Sequence, residues 1–536
     1  MRTTLIFPPE ASPSYTPLGV ATLASFLRER RPNDTVVTLD LNIECWHFLA
    51  RKELPTASPL LALPTNSHSF FEMPTYGSIR SAWAALQQQF QQLRQDAKHY
   101  LQTAESTPAL DELLAWATAR ILHNDPELVG FSVMFLDQMP FALALAKSIA
   151  QSDPNATHRR IILGGAAVSA VYPQELLAQC PFLDLIVEGE GEGPLLALSK
   201  QIPPDQIPGI YHKFDQEIRF NRANQPFFLD ASYTLPEFSD LDLALYFNPE
   251  PVLPVVLSRG CGWNRCKFCA HNFSFAGYRV KEIDAIVDYL AQIQSATGCC
   301  HFYFADQYVT PLTLDKLSDA LLWRQLRIQF HVMGRPTADY TPALLEKASS
   351  AGCRWISWGV ETGSQRLLDL VGKGTRVGEV AQVLKDASQA GIANLMMMIF
   401  GLPTSTDQDL DETFAFVDDV YPSIAAMTAS SFVLFDGTPF ARNPSKYDLE
   451  ITGHQDLLHL PGGHVRTRRL HFHTTASTEA LPSRGQLEIA RWERRRPWLG
   501  DPPFAESLPC EHFLLYSCLQ LDPSNSTPLS PLPRTA

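Results

Sequence analysis

Twice along this chain, short apolar runs alternate with stretches whose apolar residues recur at helical spacing. A proline- and aromatic-rich segment separates the two series. Alternation of this kind constrains the fold strongly, because parallel neighbouring strands need a long crossover and a helix is the usual way to supply it. In the first series, residues 3–7, 35–41, 128–134, 160–163 and 183–187 read as strands, with helices over 18–30 and 141–151. A Gln- and Leu-rich helical stretch over 43–125 interrupts it as an insertion. In the second series the strands fall at 252–257, 301–305, 328–332, 355–360, 395–399 and 431–434. Helices at 284–294, 313–324, 342–351, 377–390 and 407–420 lie between them. Six β/α units make three quarters of an eight-fold barrel, whose chemistry would sit at the carboxyl ends of its strands. The expected organisation is an α/β chain. A Rossmann-like (flavodoxin-like) domain spans 1–200, a linker with a hairpin over 209–220 spans 201–250, and a partial (β/α)6 barrel spans 251–440. An irregular region follows over 441–536, ending in a disordered tail from 524.

Composition narrows the partners. With 43 basic and 57 acidic residues the net charge is −14, so nucleic acid and anionic lipid are not default ligands. The densest apolar run, 392–403, falls short of the roughly 20 residues that span a bilayer. The first 13 residues lack the apolar core and cleavage site of a signal peptide. A soluble, cytoplasmic chain without a membrane partner is expected. In that compartment 10 cysteines read as thiols, metal ligands or core residues rather than disulfides.

Three of those cysteines stand within nine residues, in Ser258-Arg-Gly-Cys261-Gly-Trp-Asn-Arg-Cys266-Lys-Phe-Cys269, directly after the first strand of the second series. Three thiolates on one loop can hold an inorganic centre while leaving a coordination position open for chemistry. Thiolates select zinc or an iron–sulfur cluster. A structural zinc site would want a fourth ligand, and His271 stands close enough in sequence to offer one.

At these residues the chain resembles the radical S-adenosylmethionine (radical SAM) superfamily. There, three cysteines spaced C-x3-C-x2-C after the first barrel strand hold a [4Fe-4S] cluster, whose fourth iron is chelated by S-adenosylmethionine. This chain has four residues, not three, between Cys261 and Cys266. The resemblance continues in family order through 251–440. Phe268 matches the aromatic beside the adenine, and Asp306-Gln307 the acidic turn that receives the ammonium group of S-adenosylmethionine. Glu361 and Ser364, in Gly359-Val-Glu-Thr-Gly-Ser364, match the fourth-strand contacts to ribose or carboxylate. Gly401, in Gly401-Leu-Pro403, matches the fifth-strand end where backbone meets adenine. The resemblance implies one-electron cleavage of S-adenosylmethionine to an adenosyl radical, with an electron donor such as flavodoxin or ferredoxin and a small-molecule or peptide substrate.

Residues 1–200 resemble the cobalamin-binding domain preceding the barrel in one large subgroup. The matching positions are Pro17, Leu18 and Gly19 opening the first helix, Ser132 ending the third strand, Gly164 and Gly165 after the fourth, and Gly189 and Glu190 in Glu188-Gly-Glu-Gly-Glu192. The wider family's D-x-H-x-x-G motif is absent; Pro8-Pro-Glu-Ala stands there instead. The resemblance implies cobalamin as a third cofactor and a methyltransferase acting on an unactivated centre. A radical cyclase or oxidoreductase without methyl transfer is the first alternative, and a zinc-stabilised binding protein the second. The basic stretches Arg466-Thr-Arg-Arg469 and Arg491-Trp-Glu-Arg-Arg-Arg496 read as solvated surface, and Cys510 and Cys518 as buried core.

Overall fold

A computed structural model describes residues 1–53, 56–152, 158–215, 217–222, 233–271, 277–474 and 509–521. Its first sheet has seven strands: β1 (Arg2–Phe7), β2 (Thr35–Asp40), β3 (Leu128–Ser132), β4 (Arg160–Gly164), β5 (Leu185–Val187), β6 (Ile210–Phe214) and β7 (Glu217–Asn221). Their order is β2-β1-β3-β4-β5-β6-β7, parallel as far as β5 and antiparallel beyond it. The hairpin read within the linker is therefore the closing edge of this sheet. The connector to the barrel begins after Asn221.

The second sheet follows the order β15-β14-β13-β12-β11-β8 and is parallel throughout. It contains β8 (Val252–Val255), β11 (His301–Phe304), β12 (Gln329–Gly334), β13 (Cys353–Glu361), β14 (Ala393–Phe400) and β15 (Ala426–Ser431). Two short strands, β9 (Ser258–Arg259) and β10 (Arg279–Val280), pair with each other beside it. The sixth barrel strand lies five residues before the position expected from sequence. Ala426–Ser431 is poor in β-branched residues, whereas the more strand-like Phe-Val-Leu that follows leads into β16 (Leu434–Phe435), which pairs elsewhere. Two of the barrel helices start where threonine precedes proline. Thr310 accepts from Thr313 N–H (3.2 Å) and Thr341 from Leu344 N–H (3.3 Å), each with proline at the first helical position. There proline's missing donor costs nothing.

The region after 440 departs from the irregular structure expected. Strands β17 (Leu449–Leu460) and β18 (Gly463–Thr474) form a hairpin of twelve residues a side, completed by β16. The helix Cys510–Gln520 is buried within the molecule. Arg491–Arg496 and the tail from 524 lie outside the described residues.

The buried helix closes one face of the barrel. Along β11, β12, β13 and β14, side chains alternate between two apolar clusters. Phe302, Phe330 and Ile356 pack under the surrounding helices, whereas Tyr303, Trp355 and Leu395 join Phe513, Leu514 and Tyr516. This second cluster continues into the 43–125 insertion, whose helices Leu41–Lys52, Met73–Thr103 and Pro108–Leu122 pack against the first sheet. One core thus joins both halves. Burial holds the Cys510 and Cys518 thiols up at about 12, as inert core residues.

His512 sits in this core with both ring nitrogens engaged. Nε2–H donates to the Phe247 carbonyl (2.7 Å), and Nδ1 accepts from the Tyr76 hydroxyl (3.1 Å). Burial lowers it to about 3. A histidine kept neutral in the fold contributes stability that is complete above its unfolded value of about 6.5. That contribution is lost as pH falls toward the folded value. His512→Gln keeps a donor and removes the titration. The wild-type melting temperature should therefore fall more steeply than the variant's between pH 7 and pH 4, and parallel curves would refute the assignment.

Candidate functional site

The cysteine loop is held from both sides. On one side, the buried carboxylate of Asp306, at the end of β11, accepts from Leu257 N–H (2.9 Å), Ser258 N–H (2.6 Å) and Ser258 Oγ–H (2.6 Å). Burial raises Asp306 to about 6 against these hydrogen bonds. On the other side the loop is clamped to the turn after the helix Gln365–Val371. Lys267 N–H donates to Val371 O (2.9 Å), Lys267 Nζ to Leu370 O (2.7 Å), and Trp263 Nε1–H to Gly372 O (2.9 Å). Gly374 has φ +67°, and a Cβ there would stand 2.2 Å from the Trp263 ring. Only glycine allows this approach. Arg335 lies 4.0 Å from the Trp263 ring centroid and donates to the carbonyls of Lys373 (3.1 Å) and Gly374 (2.9 Å).

Under this clamp lies a buried ion pair, Lys373 Nζ to Glu361 Oε1 at 2.6 Å, with each side chain 9% exposed. Glu361 has φ +71°, at an irregularity in the β13–β14 register. Such a backbone persists only where its surroundings enforce it. Burial opposes the Lys373 charge, but Glu361 and the Cys266 sulfur hold the ammonium above its ordinary value. Burial likewise pushes Cys266 up to about 11 in the absence of a cation on the sulfur.

Eleven of the site residues expected from sequence line one of two cavities, whereas Cys261, Cys266, Asp306, Glu361, Ser364 and Gly401 line neither. Pro17, Leu18, Gly19, Ser132, Gly164, Gly165, Gly189 and Glu190 all line one of about 290 Å³, together with Ser258, Gly260 and Gln307 from the barrel. Gln307 Oε1 is buried there without a hydrogen-bond partner among the described residues. Phe268 and Cys269 line a larger cleft of about 830 Å³, between the strand ends β14–β15, the β17–β18 hairpin and the first domain. Met134 and Ala166 line both, so the cavities meet at the first sheet's carboxyl edge.

Three of the expected site residues are engaged by the protein itself. The Asp306 carboxylate accepts from the β8–β9 corner and so positions the loop. Ser364 is fully buried and donates to Asp409 (2.7 Å), which also receives Arg366 Nε–H (3.1 Å). Glu190 is engaged by Arg279 and by Arg259 (3.5 Å), while Glu192 pairs with Arg259. Gly401, with φ +73°, turns the chain at the end of β14. Lys373, Arg259 and Arg279 carry the site's electrostatics without having been singled out from sequence. The one signal available was two arginines flanking a cysteine loop in a chain that elsewhere alternates Glu and Gly.

Removing Lys373 would strand the buried Glu361 carboxylate. Lys373→Met should cost about 3–5 kcal/mol in denaturant unfolding, with most of it recovered by adding Glu361→Gln. A single variant within 1 kcal/mol of wild type would refute the pairing.

Residues 103–199 match the family model of the B12 binding domain, and residues 255–417 that of the Radical SAM superfamily. An uncharacterised methyltransferase of Pyrococcus horikoshii is 25% identical over 316 residues, covering 57% of this chain and 67% of the relative. The anaerobic magnesium-protoporphyrin IX monomethyl ester cyclase of Cereibacter sphaeroides is 27% identical over 287 residues, covering 51% of this chain but 46% of the relative. In fold, the chain is similar to the cobalamin-dependent radical enzyme OxsB (TM-score 0.64, 19% identity, 92% of this chain and 66% of that one). It is also similar to the methyltransferase TsrM of Kitasatospora setae (TM-score 0.59, 16% identity, 100% and 91%). Residues 255–417 thus carry a radical SAM domain, with a B12 binding domain over 103–199 preceding it.

Proposed function

We propose that this protein is a cobalamin-dependent radical SAM methyltransferase acting on an unactivated centre. The observation that carries the reading is the meeting of the two cavities. A groove fit for a cobalamin tail and a cleft beside the cysteine loop share Met134 and Ala166.

The residues fit the groups the family implies. The groove is walled by backbone and small side chains. Gly165 has φ +98°, and a Cβ there would stand 2.4 Å from the Val133 carbonyl oxygen. At Gly189 nothing lies within 4 Å of an added Cβ. A slender, extended group such as a corrin's nucleotide tail suits those walls. The sulfurs of Cys261, Cys266 and Cys269 are not gathered within 4.8 Å of one another, since the one such convergence among the described residues lies elsewhere. Tetrahedral zinc, with bonds of about 2.3 Å to sulfur, would need them about 3.8 Å apart. A cubane, whose irons each take one thiolate, suits a wider set.

When bound, the cluster supplies an electron for cleaving S-adenosylmethionine, and cobalamin supplies methyl-transfer chemistry. The chain's part is to hold and shield. Cys261, Cys266 and Cys269 furnish three thiolates. Lys373 and Glu361 fix the clamp beneath them, and the unpartnered Gln307 Oε1 is an acceptor at the groove's barrel wall. Phe268, Ile399 and Phe432 give the cleft an apolar side that limits water near the loop. Electrons come from an external one-electron donor. A cyclase reading without methyl transfer is favoured by the Cereibacter relative.

Protein purified without oxygen from cobalamin-fed cells should carry about four irons and one cobalt per chain. With a reductant it should release adenosylhomocysteine from S-adenosylmethionine. Cys266→Ala should stay folded and lose the iron. Iron and cobalt without adenosylhomocysteine would favour the cyclase reading, whereas zinc with no iron after anaerobic reconstitution would overturn both.

A further inference from the structure

At the turn of the β17–β18 hairpin, Asp456, His459 and His464 bring their ligand atoms within 4.8 Å of one another. We propose that these three residues bind a divalent transition-metal ion, of the zinc class, at the rim of the large cleft and apart from the cysteine loop.

The hairpin's register builds this convergence. His459 stands directly opposite His464, one step from the turn, where Leu460 pairs with Gly463. The next pair, Leu458 and Val465, points the other way into the core, at 2% and 0% exposure. In a regular strand Asp456 would lie on the opposite face from His459, three residues away. The register shifts between Asp456 and Leu458, so Asp456 instead pairs with Arg466. The extra residue, Leu457, thereby returns Asp456 to the face shared by both histidines. Bulges of this kind re-aim side chains and recur beside functional sites.

The donor set and spacing suit such an ion. Imidazole and carboxylate together are zinc-class ligands. Bonds of about 2.0–2.2 Å at tetrahedral angles place ligand atoms about 3.3–3.6 Å apart. Asp456 Oδ2 lies 3.0 Å from His464 Nδ1 and 3.7 Å from His459 Nε2, bracketing that value. The two rings meet edge to face with centroids 4.4 Å apart. The nearest competing cation, Arg466, is drawn off by Glu175, to which Nε–H donates at 2.8 Å. Three protein ligands leave a fourth position open to solvent. Asp456 also lines the cleft, so a bound ion would fix the strand that roofs it.

The test is zinc titration by calorimetry of the holoenzyme, anaerobic and with its cluster loaded. One equivalent should bind. His459→Ala and His464→Ala should each weaken binding at least about tenfold, no less than the loss of an outer-shell partner. All three side chains are at least one-third exposed, so the fold should persist, read by an unchanged melting temperature without zinc. Binding that survives both substitutions and is lost with Cys266→Ala would place zinc at the cysteines and overturn the proposal. The absence of a stoichiometric binding event in wild type would overturn it as well.

Discussion

Everything about the site depends on how the Glu188–Glu192 loop of the first domain meets the start of the cysteine loop. Glu190 and Glu192 face Arg259 and Arg279, all within 10% exposure, and the Arg259 guanidinium also lies 4.5 Å from the Tyr233 ring centroid. Two carboxylates and two guanidiniums balance in charge, so neither domain buries an uncompensated ion once they meet. Apart, each would present charges whose desolvation had no counterpart. Buried pairs of this kind contribute little net stability compared with apolar packing, but they penalise every misaligned arrangement heavily. Registration is thus their contribution. β9 follows β8 by two residues and carries Arg259, two positions before Cys261, so the contact that aligns the domains also orients the first thiol.

Most of the architecture was legible because parallel α/β folds write themselves in periodicity. Buried strands appear as short apolar runs, and helices as apolar residues recurring at helical spacing. The first helix was read at its observed bounds, and five of six barrel strands within a few residues. The sixth was displaced because Ala426–Ser431 is held by its neighbour β14 rather than by its own propensity. The C-terminal hairpin escaped because its outer face is polar and its bulges break the two-residue alternation.

The site was legible in its membership more than in its roles. Glycines at strand ends and the cysteine spacing were enough to single out neighbouring positions, and all eight expected groove residues line one cavity. Roles depend on which partner each polar group finds, and those partners are distant in sequence. Asp306 meets Ser258 across 48 residues, and Ser364 meets Asp409 across 45. Lys373 was not singled out, because a lysine twelve residues past a glutamate gives no hint of a buried pair.

The helix Cys510–Gln520 carries a consequence for biogenesis. It covers strands that end at Glu361, so about 150 residues must be synthesised after those strands before their cover exists. At 5–20 residues per second, the concave face with Tyr303 and Trp355 stays open for roughly 7–30 s on the ribosome. During that interval the barrel is an apolar trough, exposed to chaperones and to other nascent chains. Slow codons ahead of residue 510 would lengthen the exposure.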